Sequence, residues 1–571
     1  MEKFSEIQYI RPDLEAYSAA LTAHRQRLAE AESWDAFKAE WMRMANEKRD
    51  VLTMHNIASV RNRVNMLDPF YDEEMKWLNR NYPAVQVKEK QTESVVLDSP
   101  YLEDFEKEFG TILVQTIRNN RLFANEALIP LQVAEAELAH RYSNAASKAH
   151  AQLNGQDMNL YGILKVMQST DRAQRRQAFE AWCALHESVA DELEEIYEAQ
   201  IDVHVRMAKT LGFDSYIDLI YLQRRRFDYT AADAAAFRQS ILENVTPVVQ
   251  KLFEQQRQRL GLDRLHWYDE ALVFPDGNVD PEGTTAELVQ KAQEMYRELS
   301  PETAEYFDYV VKYELYDLDS KIGKRPGGFC STLPALKSPF VFANFNGTAA
   351  DVEVLTHEAG HGFEDYTASR IVPLMELARS TSEVNEIHSM TMEHFTYPWM
   401  EKFFGRETGK YLYQHLWGAL NVLPYMCCVD EFQHRVYENP RMPRIERRGV
   451  WREIERKYMP WRDYDGNAFL ESGAFWLKQQ HIFLFPFYYI DYALAQTCAI
   501  QLFIRSLDDR EAAWQDYLRL CRAGGSKGYF ALLETAHLAN PFVPGTLKDV
   551  IQRVAEQLEV FRREAEGSTN E

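Results

Sequence analysis

The sequence predicts a mostly α-helical protein with at least two lobes and one small β-sheet. The chain has 571 residues, which is more than a single compact core usually holds. Only 24 Gly and 21 Pro occur, so turns are sparse and long helices are favoured over many short strands. Apolar residues recur at helical spacing along much of the chain.

The composition indicates a folded protein with a strongly acidic surface. Hydrophobic residues make up 46% of the chain and charged residues 26%, which is ordinary for a folded soluble protein. The net charge is −23, from 87 acidic and 64 basic residues. Because such a surface repels phosphate backbones and anionic lipids, we expect neither nucleic acid nor a membrane among the partners.

The cysteines and the N-terminus predict a cytoplasmic location. The six cysteines form no C-x-x-C pair, so neither a cysteine zinc knuckle nor a disulfide scaffold is expected. Reduced thiols that pack as small core residues fit this low density. The first residues are charged and no apolar signal segment is visible there.

The first part of the chain is predicted to be a helical scaffold. Apolar residues repeat at helical spacing in 14–29 and in 37–44, and a helical segment rich in Ala and Glu covers 131–153. Nothing in these patterns indicates chemistry. We therefore assign residues 1–165 to an N-terminal helical region.

Two short strands are predicted in the middle of the chain. Aromatic and β-branched residues occur in 329–332 and again in 340–345, and turn signals bound both runs. These runs are the best candidates for a small sheet. No internal repeat of fixed period accompanies them.

A helix predicted to start after Thr348 carries the motif H-E-A-G-H over 357–361. Its histidines, His357 and His361, lie one turn apart on one face, so both rings can bind one metal ion. Glu358 is placed to reach a water molecule on that metal rather than the metal itself. The alternative is a pair of structural histidines on a helix face.

A catalytic zinc site needs a third protein ligand and one open position. Glu383, Glu386 and Glu393 are three and seven residues apart and share one face of a predicted helix. Spacing alone does not choose among these three carboxylates, and it does not exclude His388.

These motifs together resemble a known family. The motif at 357–361, followed by E-I-H-S-M-T-M-E at 386–393, looks like the thimet-oligopeptidase-type zinc metallopeptidases, and within them the oligoendopeptidase F and Pz-peptidase branch. The run N-F-N-G-T at 344–348 resembles the segment before the metal helix in that branch. The resemblance is clear over about 320–545 and implies that Glu386 is the third ligand.

The resemblance also implies a fold and a function. The family has two helical lobes around a deep substrate channel, and the small sheet would lie beside the H-E-x-x-H helix. The implied activity is that of a zinc-dependent endopeptidase with one Zn²⁺ per chain, which hydrolyses short unstructured peptides. The nucleophile would be a water molecule on the zinc, with Glu358 as general base. On this reading residues 166–571 form the catalytic zinc metallopeptidase region, and the lobes are expected to share segments from both regions.

A third candidate cluster lies near an apolar stretch at 482–504. Periodicity alone indicates core aromatics with polar tips for Tyr488 and its neighbours. Attack of water on a peptide carbonyl creates an oxyanion, which needs hydrogen-bond donors. The resemblance implies that His481, Tyr489 and Tyr492 are these donors and face the zinc.

The same apolar stretch, 482–504, is nearly long enough to span a bilayer. It contains Asp491, Gln496 and Gln501, which would be costly in lipid. We therefore predict a buried central helix of a large soluble protein.

Two other functions stay open. A zinc exopeptidase, such as an aminopeptidase or a dipeptidyl carboxypeptidase, would share the metal site and add a group that binds a chain terminus. A non-catalytic helical protein would hold the metal for structure, but the presence of Glu358 and the lack of nearby cysteines argue against it. An extended peptide could add to a strand edge near Gly328 or Ala343. Both a monomer and a homo-oligomer remain open.

Overall fold

The structure, a computed structural model, describes residues 1–321, 323–325 and 327–568. Five helices form the N-terminal part: α1 (Leu14–Ala29), α2 (Trp34–Val64), α3 (Pro69–Glu93), α4 (Leu102–Phe109) and α5 (Thr111–Phe123). Eight more helices precede the larger sheet: α6 (Ile129–Lys148), α7 (Leu160–Val166), α8 (Arg172–Thr210), α9 (Tyr216–Gln223), α10 (Ala231–Asn244), α11 (Thr246–Arg259), α12 (Thr285–Leu299) and α13 (Pro301–Lys312).

The remaining helices follow that sheet. They are α14 (Ala349–Ile371), α15 (Ser382–Phe395), α16 (Glu401–Phe404), α17 (Thr408–Glu438), α18 (Arg444–Tyr458), α19 (Ala468–Glu471), α20 (Gln480–Leu484), α21 (Tyr489–Asp508), α22 (Arg510–Ala523), α23 (Tyr529–Thr535) and α24 (Thr546–Ser568). The predicted mostly helical fold is confirmed.

The buried apolar side chains of the described residues form two clusters. The smaller one joins α1 to α5 with Leu374 and Leu377 from the segment after α14. The larger one holds the rest of the helices and the three-stranded sheet. Helix α2 contributes Phe37 and Trp41 to the smaller cluster but Ile57 to the larger. One continuous helix therefore connects the two cores.

The strands form two small sheets. β1 (Ala151–Leu153) and β2 (Gln156–Met158) make a hairpin. Its turn residues, Asn154 and Gly155, have φ values of 53° and 75°, as two-residue hairpins require. The predicted helical segment 131–153 is therefore wrong in its last residues, because α6 ends before this hairpin.

The second sheet contains β3 (Tyr316–Asp319), β4 (Phe329–Leu333) and β5 (Ser338–Phe345), in the order β3-β5-β4. β5 pairs parallel with β3 and antiparallel with β4. The two predicted strands are confirmed as β4 and β5, and β3 was missed. Ala343 lies in the central strand, which has partners on both sides, so an added peptide strand cannot pair there. On the β4 side, no strand of the described residues pairs with the edge next to Gly328.

The prediction of one helix over 482–504 is wrong, because the stretch is divided between α20 and α21. In the connection, Pro486 has no N–H to donate and Phe487 has a left-handed φ of 59°. Helix α21 is buried as predicted, and its Asp491 pairs with Arg226 at 2.6 Å. None of the helices in the described part of the chain combines the length and apolar character that a membrane span requires.

Helix α14 packs between β5 and α15, and Gly360 is the point of closest approach to α15. A Cβ atom at Gly360 would lie 2.7 Å from Cα of Ser389 and 2.8 Å from the carbonyl oxygen of His388. These are backbone atoms, which cannot move aside like a flexible side chain. The absence of a side chain at Gly360 therefore sets the distance between the two helices.

We expect Gly360→Ala to destabilise the protein by about 1–3 kcal/mol, because it overpacks a backbone contact. Gly418→Ala is the matched control: Gly418 also lies within a helix, and a Cβ there meets nothing within 4 Å. That control should be neutral or gain up to about 1 kcal/mol from helix propensity. The free energy of unfolding from urea titration measures both. Equal stability of the two variants would contradict the close packing.

Candidate active site

The structure brings His357, His361 and Glu386 together, with one ligand atom of each lying within 4.8 Å of the others. Oε2 of Glu386 lies 3.3 Å from Nε2 of His357 and 3.5 Å from Nε2 of His361. Among the described residues this is the single group of His, Cys, Asp and Glu side chains that could hold a metal ion.

The spacing within this triad fits a zinc ion. Tetrahedral zinc ligands at about 2.0–2.2 Å from the metal lie about 3.3 Å from one another. The two separations from Glu386 are close to this value and long for a charge-assisted hydrogen bond. Two imidazole nitrogens and one carboxylate oxygen are also a donor set of catalytic zinc sites.

Glu393, one of the three candidate ligands, lies behind the metal position. Its Oε1 accepts a hydrogen bond from Nδ1 of His357 at 2.6 Å, and its Oε2 accepts one from Nε2 of His415 at 2.8 Å. Burial acts to raise the pKa of Glu393, but the hydrogen bonds from both histidines lower it to about 2. The carboxylate is therefore ionised and holds the His357 proton on Nδ1, which leaves Nε2 free for a metal.

His415 and Tyr397 extend this support. Nδ1 of His415 lies 2.7 Å from the Tyr397 hydroxyl, which also contacts Nδ1 of His394 at 2.9 Å. None of these three residues was predicted from the sequence. His415 is on α17, and no local motif connects it with Glu393. The other two candidates do not join the triad: Glu383 is buried near Arg226, and His388 is fully buried.

Glu358 is buried and has an unpaired oxygen. Its Oε2 has no hydrogen-bond partner among the described residues, and its Oε1 would lie 3.2 Å from a Cβ at Gly328. Burial raises the pKa of Glu358, while His357 and His361 act to lower it. A buried carboxylate oxygen without a partner is costly, so this one needs a water or a ligand beside it.

The tyrosines of α20–α21 take different positions. The Tyr488 hydroxyl donates a hydrogen bond to Oε1 of Glu386 at 2.9 Å. Tyr492 packs edge-on against Tyr488 at 5.0 Å, and burial, followed by Glu386, raises its pKa. Tyr489 lies farther round the helix: burial raises its pKa to about 12, and Gln479 acts to lower it. Tyr492 is thus the closer of the two predicted tyrosines to the triad, and Tyr488 was missed as a functional residue.

His481 lies within this aromatic cluster. Its Nδ1 accepts a hydrogen bond from Nε2 of Gln479 at 2.7 Å, and its ring centroid is 4.9 Å from that of Tyr489 and 6.0 Å from that of Tyr492. Burial, assisted by Arg224, lowers the pKa of His481 to about 4. The ring is therefore neutral near pH 7, with its proton on Nε2 as a donor.

The fold and the site together define a metallopeptidase. Residues 165–550 match the model of peptidase family M3, and residues 4–122 match the M3 N-terminal domain. The chain therefore belongs to peptidase family M3, which confirms the resemblance noted from the sequence.

Solved structures with similar sequences support this assignment. The structure of Pz peptidase A with an inhibitor is 38% identical, with a TM-score of 0.92 over 98% of this chain and 99% of that one. A putative oligoendopeptidase F from Bacillus anthracis str. Ames is 36% identical, with a TM-score of 0.88 over 98% of both chains. Chromosomal oligoendopeptidase F of Lactococcus lactis subsp. cremoris is 24% identical over 243 residues, which are 39% of this chain and 37% of that relative.

We expect Glu393→Gln to weaken zinc binding by about 10- to 100-fold, because His357 loses the charge that holds its proton on Nδ1. Glu401→Gln, at an exposed position on α16, is the control for removal of one negative charge. Competition for zinc against a chromogenic chelator measures both affinities. If the two variants bind zinc equally well, Glu393 has no supporting role.

Proposed function

We propose that the protein is a zinc-dependent endopeptidase that hydrolyses short, unstructured peptides. This proposal rests on one observation: Glu358, which has an unpaired carboxylate oxygen, lies on the same helix as His357 and His361, two of the three residues whose ligand atoms converge. Structural zinc sites fill all four positions with protein ligands, often cysteines. Three ligands with a free carboxylate beside them fit a catalytic site.

His357, His361 and Glu386 are proposed to hold the zinc. When bound, zinc would act as a Lewis acid and lower the pKa of a water molecule to about 7. The free Oε2 of Glu358 receives the proton of the attacking water and later delivers it to the leaving amine. Since burial already raises the pKa of this carboxyl, Glu358 is suited to hold that proton between the two steps.

The oxyanion is proposed to be stabilised from α20–α21. The Tyr488 hydroxyl is engaged with Glu386 and so orients a ligand. The Tyr492 hydroxyl and the Nε2 proton of His481 are the donors available for the developing charge. Tyr489 remains a candidate donor, but its closeness to Gln479 favours a role in holding the cluster together.

The substrate is proposed to add to the open edge of β4. Gly328 and the start of β4 lie beside Glu358, so a peptide paired there would present a carbonyl to the catalytic groups. Farther along, Asn56 of α2 donates to the carbonyl oxygen of Thr332 at 2.8 Å and occupies the edge. The open part is therefore short, which suits short peptides.

The names of the relatives agree with this proposal, because Pz peptidase and oligoendopeptidase F are peptidases and the second name denotes internal cleavage of oligopeptides. We also propose a cytoplasmic location. All six cysteines lie in the described part of the chain as free thiols, which suits a reducing compartment.

The proposal is tested with a mixed peptide library in which each sequence has free ends or blocked ends. We expect internal cleavage of both forms, identified by mass spectrometry, and loss of cleavage after a chelator removes the metal. Cleavage that requires a free N-terminus or a free C-terminus would indicate an exopeptidase. If the zinc-loaded protein cleaves no peptide, the proposed enzymatic function is wrong.

Glu358→Gln should retain zinc but lose turnover by at least about a hundredfold, because the general base is removed. Metal analysis after dialysis and hydrolysis of a fluorogenic peptide measure the two properties separately. Glu401→Gln serves as the control, since this exposed residue lies outside the site. Substantial activity in the Glu358 variant would mean that another group accepts the proton.

Tyr492→Phe should lower kcat by about a hundredfold with a smaller effect on KM, because a donor to the oxyanion is lost. Tyr489→Phe is the matched control on the same helix and should change kcat much less. Steady-state kinetics with one fluorogenic peptide compares the two. A larger loss of kcat in the Tyr489 variant would mean that Tyr489, rather than Tyr492, donates to the oxyanion.

A further inference from the structure

A strongly basic cavity of about 600 Å³ lies against the edge strand β4, although the whole chain has a net charge of −23. It is enclosed by α2, by the first residues of β4 and by the segment that connects α14 with α15. Six cationic side chains and two acidic ones line it. The cations are Lys48, Arg49, Arg63, Arg225, Lys337 and Arg379.

Most of these cations have no anionic partner. Lys48 pairs with Glu93 at 2.5 Å and with Glu376 at 2.8 Å, and Arg49 lies 3.8 Å from Asp50. No carboxylate of the described residues lies within ion-pair distance of Arg63, Arg225 or Arg379. Burial and the neighbouring Arg325 cation lower the pKa of Arg63 to about 10. Like charges that face one space without counter-charge repel one another, and an anion in that space would relieve the repulsion.

Two acidic residues of α14, Asp365 and Glu364, offset only part of the positive charge of the cavity. Burial raises the pKa of Asp365 and of Glu364, so both carboxyls hold protons more readily than usual. Asp365 accepts a hydrogen bond from the Thr332 hydroxyl at 3.1 Å. Both carboxyls act to raise the pKa of Arg379, against the effect of burial, yet neither is within ion-pair distance.

The cavity is continuous with the proposed peptide site. Phe329 and Cys330 of β4 line it, and Gly328 next to them lies against Glu358. Arg379 lines the same cavity, and both Cys330 and Tyr488, which donates to Glu386, act to raise its pKa. At the far side the Arg63 guanidinium lies over the Phe329 ring at 4.5 Å. A peptide on the β4 edge would therefore run into this group of cations.

We propose that the cavity binds a carboxylate of the peptide substrate, and that Arg379 is the specificity-determining residue that pairs with it. The inference rests on the proposed peptidase function. The carboxylate is either the free C-terminus of a short peptide or an acidic side chain near the cleaved bond. A guanidinium binds both through the same paired hydrogen bonds. A polyanion such as nucleic acid is disfavoured by the net charge of −23 of the whole chain.

The test uses four peptides with one uncharged, internally quenched core. The first has a free C-terminal carboxylate and the second a C-terminal amide. The third and fourth are C-terminal amides that carry a single Glu or a single Gln. This residue is placed in turn at each position on either side of the cleaved bond. The zinc-loaded enzyme should prefer the free acid over the amide, or Glu over Gln, by about tenfold in kcat/KM, mainly through KM. The arm that shows the preference identifies the source of the carboxylate.

Arg379→Gln should abolish that preference and leave kcat/KM for the uncharged amide peptide within about twofold of the wild type. Arg406→Gln is the control, because Arg406 is exposed and lies outside the cavity lining. If Arg379→Gln fails to fold, Arg63→Gln takes its place and should reduce the preference. Equal rates for charged and uncharged peptides in the wild type, or an unchanged preference in the variants, would overturn the proposal.

The two proposals fail in different ways. If the wild type cleaves none of the peptides, the peptidase function is wrong, and the anion site is then tested by fluorescence anisotropy of all four peptides, each carrying one label. Tighter binding of the free acid or of the Glu peptide, lost in Arg379→Gln, would still support the site. Equal binding of all four peptides would refute it.

Discussion

The structure depends on the close contact of α14 with α15 at Gly360. Two of the proposed metal ligands lie on α14 and the third on α15, so the distance between the helices fixes the distance between the three side chains. The backbones meet without an intervening side chain. The spacing of the triad is therefore set by main-chain atoms, whose positions vary less than those of long side chains. The β5 strand supports α14 from its other side and keeps it against α15.

Several buried carboxylates near this contact have hydrogen-bond or ion-pair partners. Glu386 accepts from Tyr488, Glu393 is held between His357 and His415, and Asp491 pairs with Arg226. Buried charges require such partners, because desolvation is otherwise too costly. Glu358, in contrast to Glu386 and Glu393, leaves its Oε2 unpaired, and its other oxygen lies beside Gly328. A cost of this kind is retained where a group must act on a substrate.

The sequence predicted those parts of the site that depend on local spacing. His357 and His361 share a helix face by periodicity alone, and the strands β4 and β5 were visible as aromatic runs between turns. The choice of Glu386 over Glu393 came from the resemblance, because both lie on one face and only tertiary packing separates a ligand from its support. Tyr488 and Tyr489 are adjacent in the sequence but take different positions, because the helix is interrupted at Phe487, which has a left-handed φ. An apolar pattern does not reveal this interruption. The cations of the cavity come from distant parts of the chain and have no motif.

Peptide recognition requires both affinity and a fixed register. Pairing along a strand edge supplies the affinity, and a charged side chain near that edge can fix the register. Main-chain hydrogen bonds supply affinity for almost any sequence, but a slip of two residues preserves them, so the edge of β4 alone does not fix which bond is cleaved. A fixed cation changes this, because a carboxylate can pair with it in one register only. Asn56 limits the free length of the edge, and arginines without an ion-pair partner line the cavity beside β4. Under the proposed function, the same short edge would therefore accept many sequences and still place one carbonyl opposite Glu358.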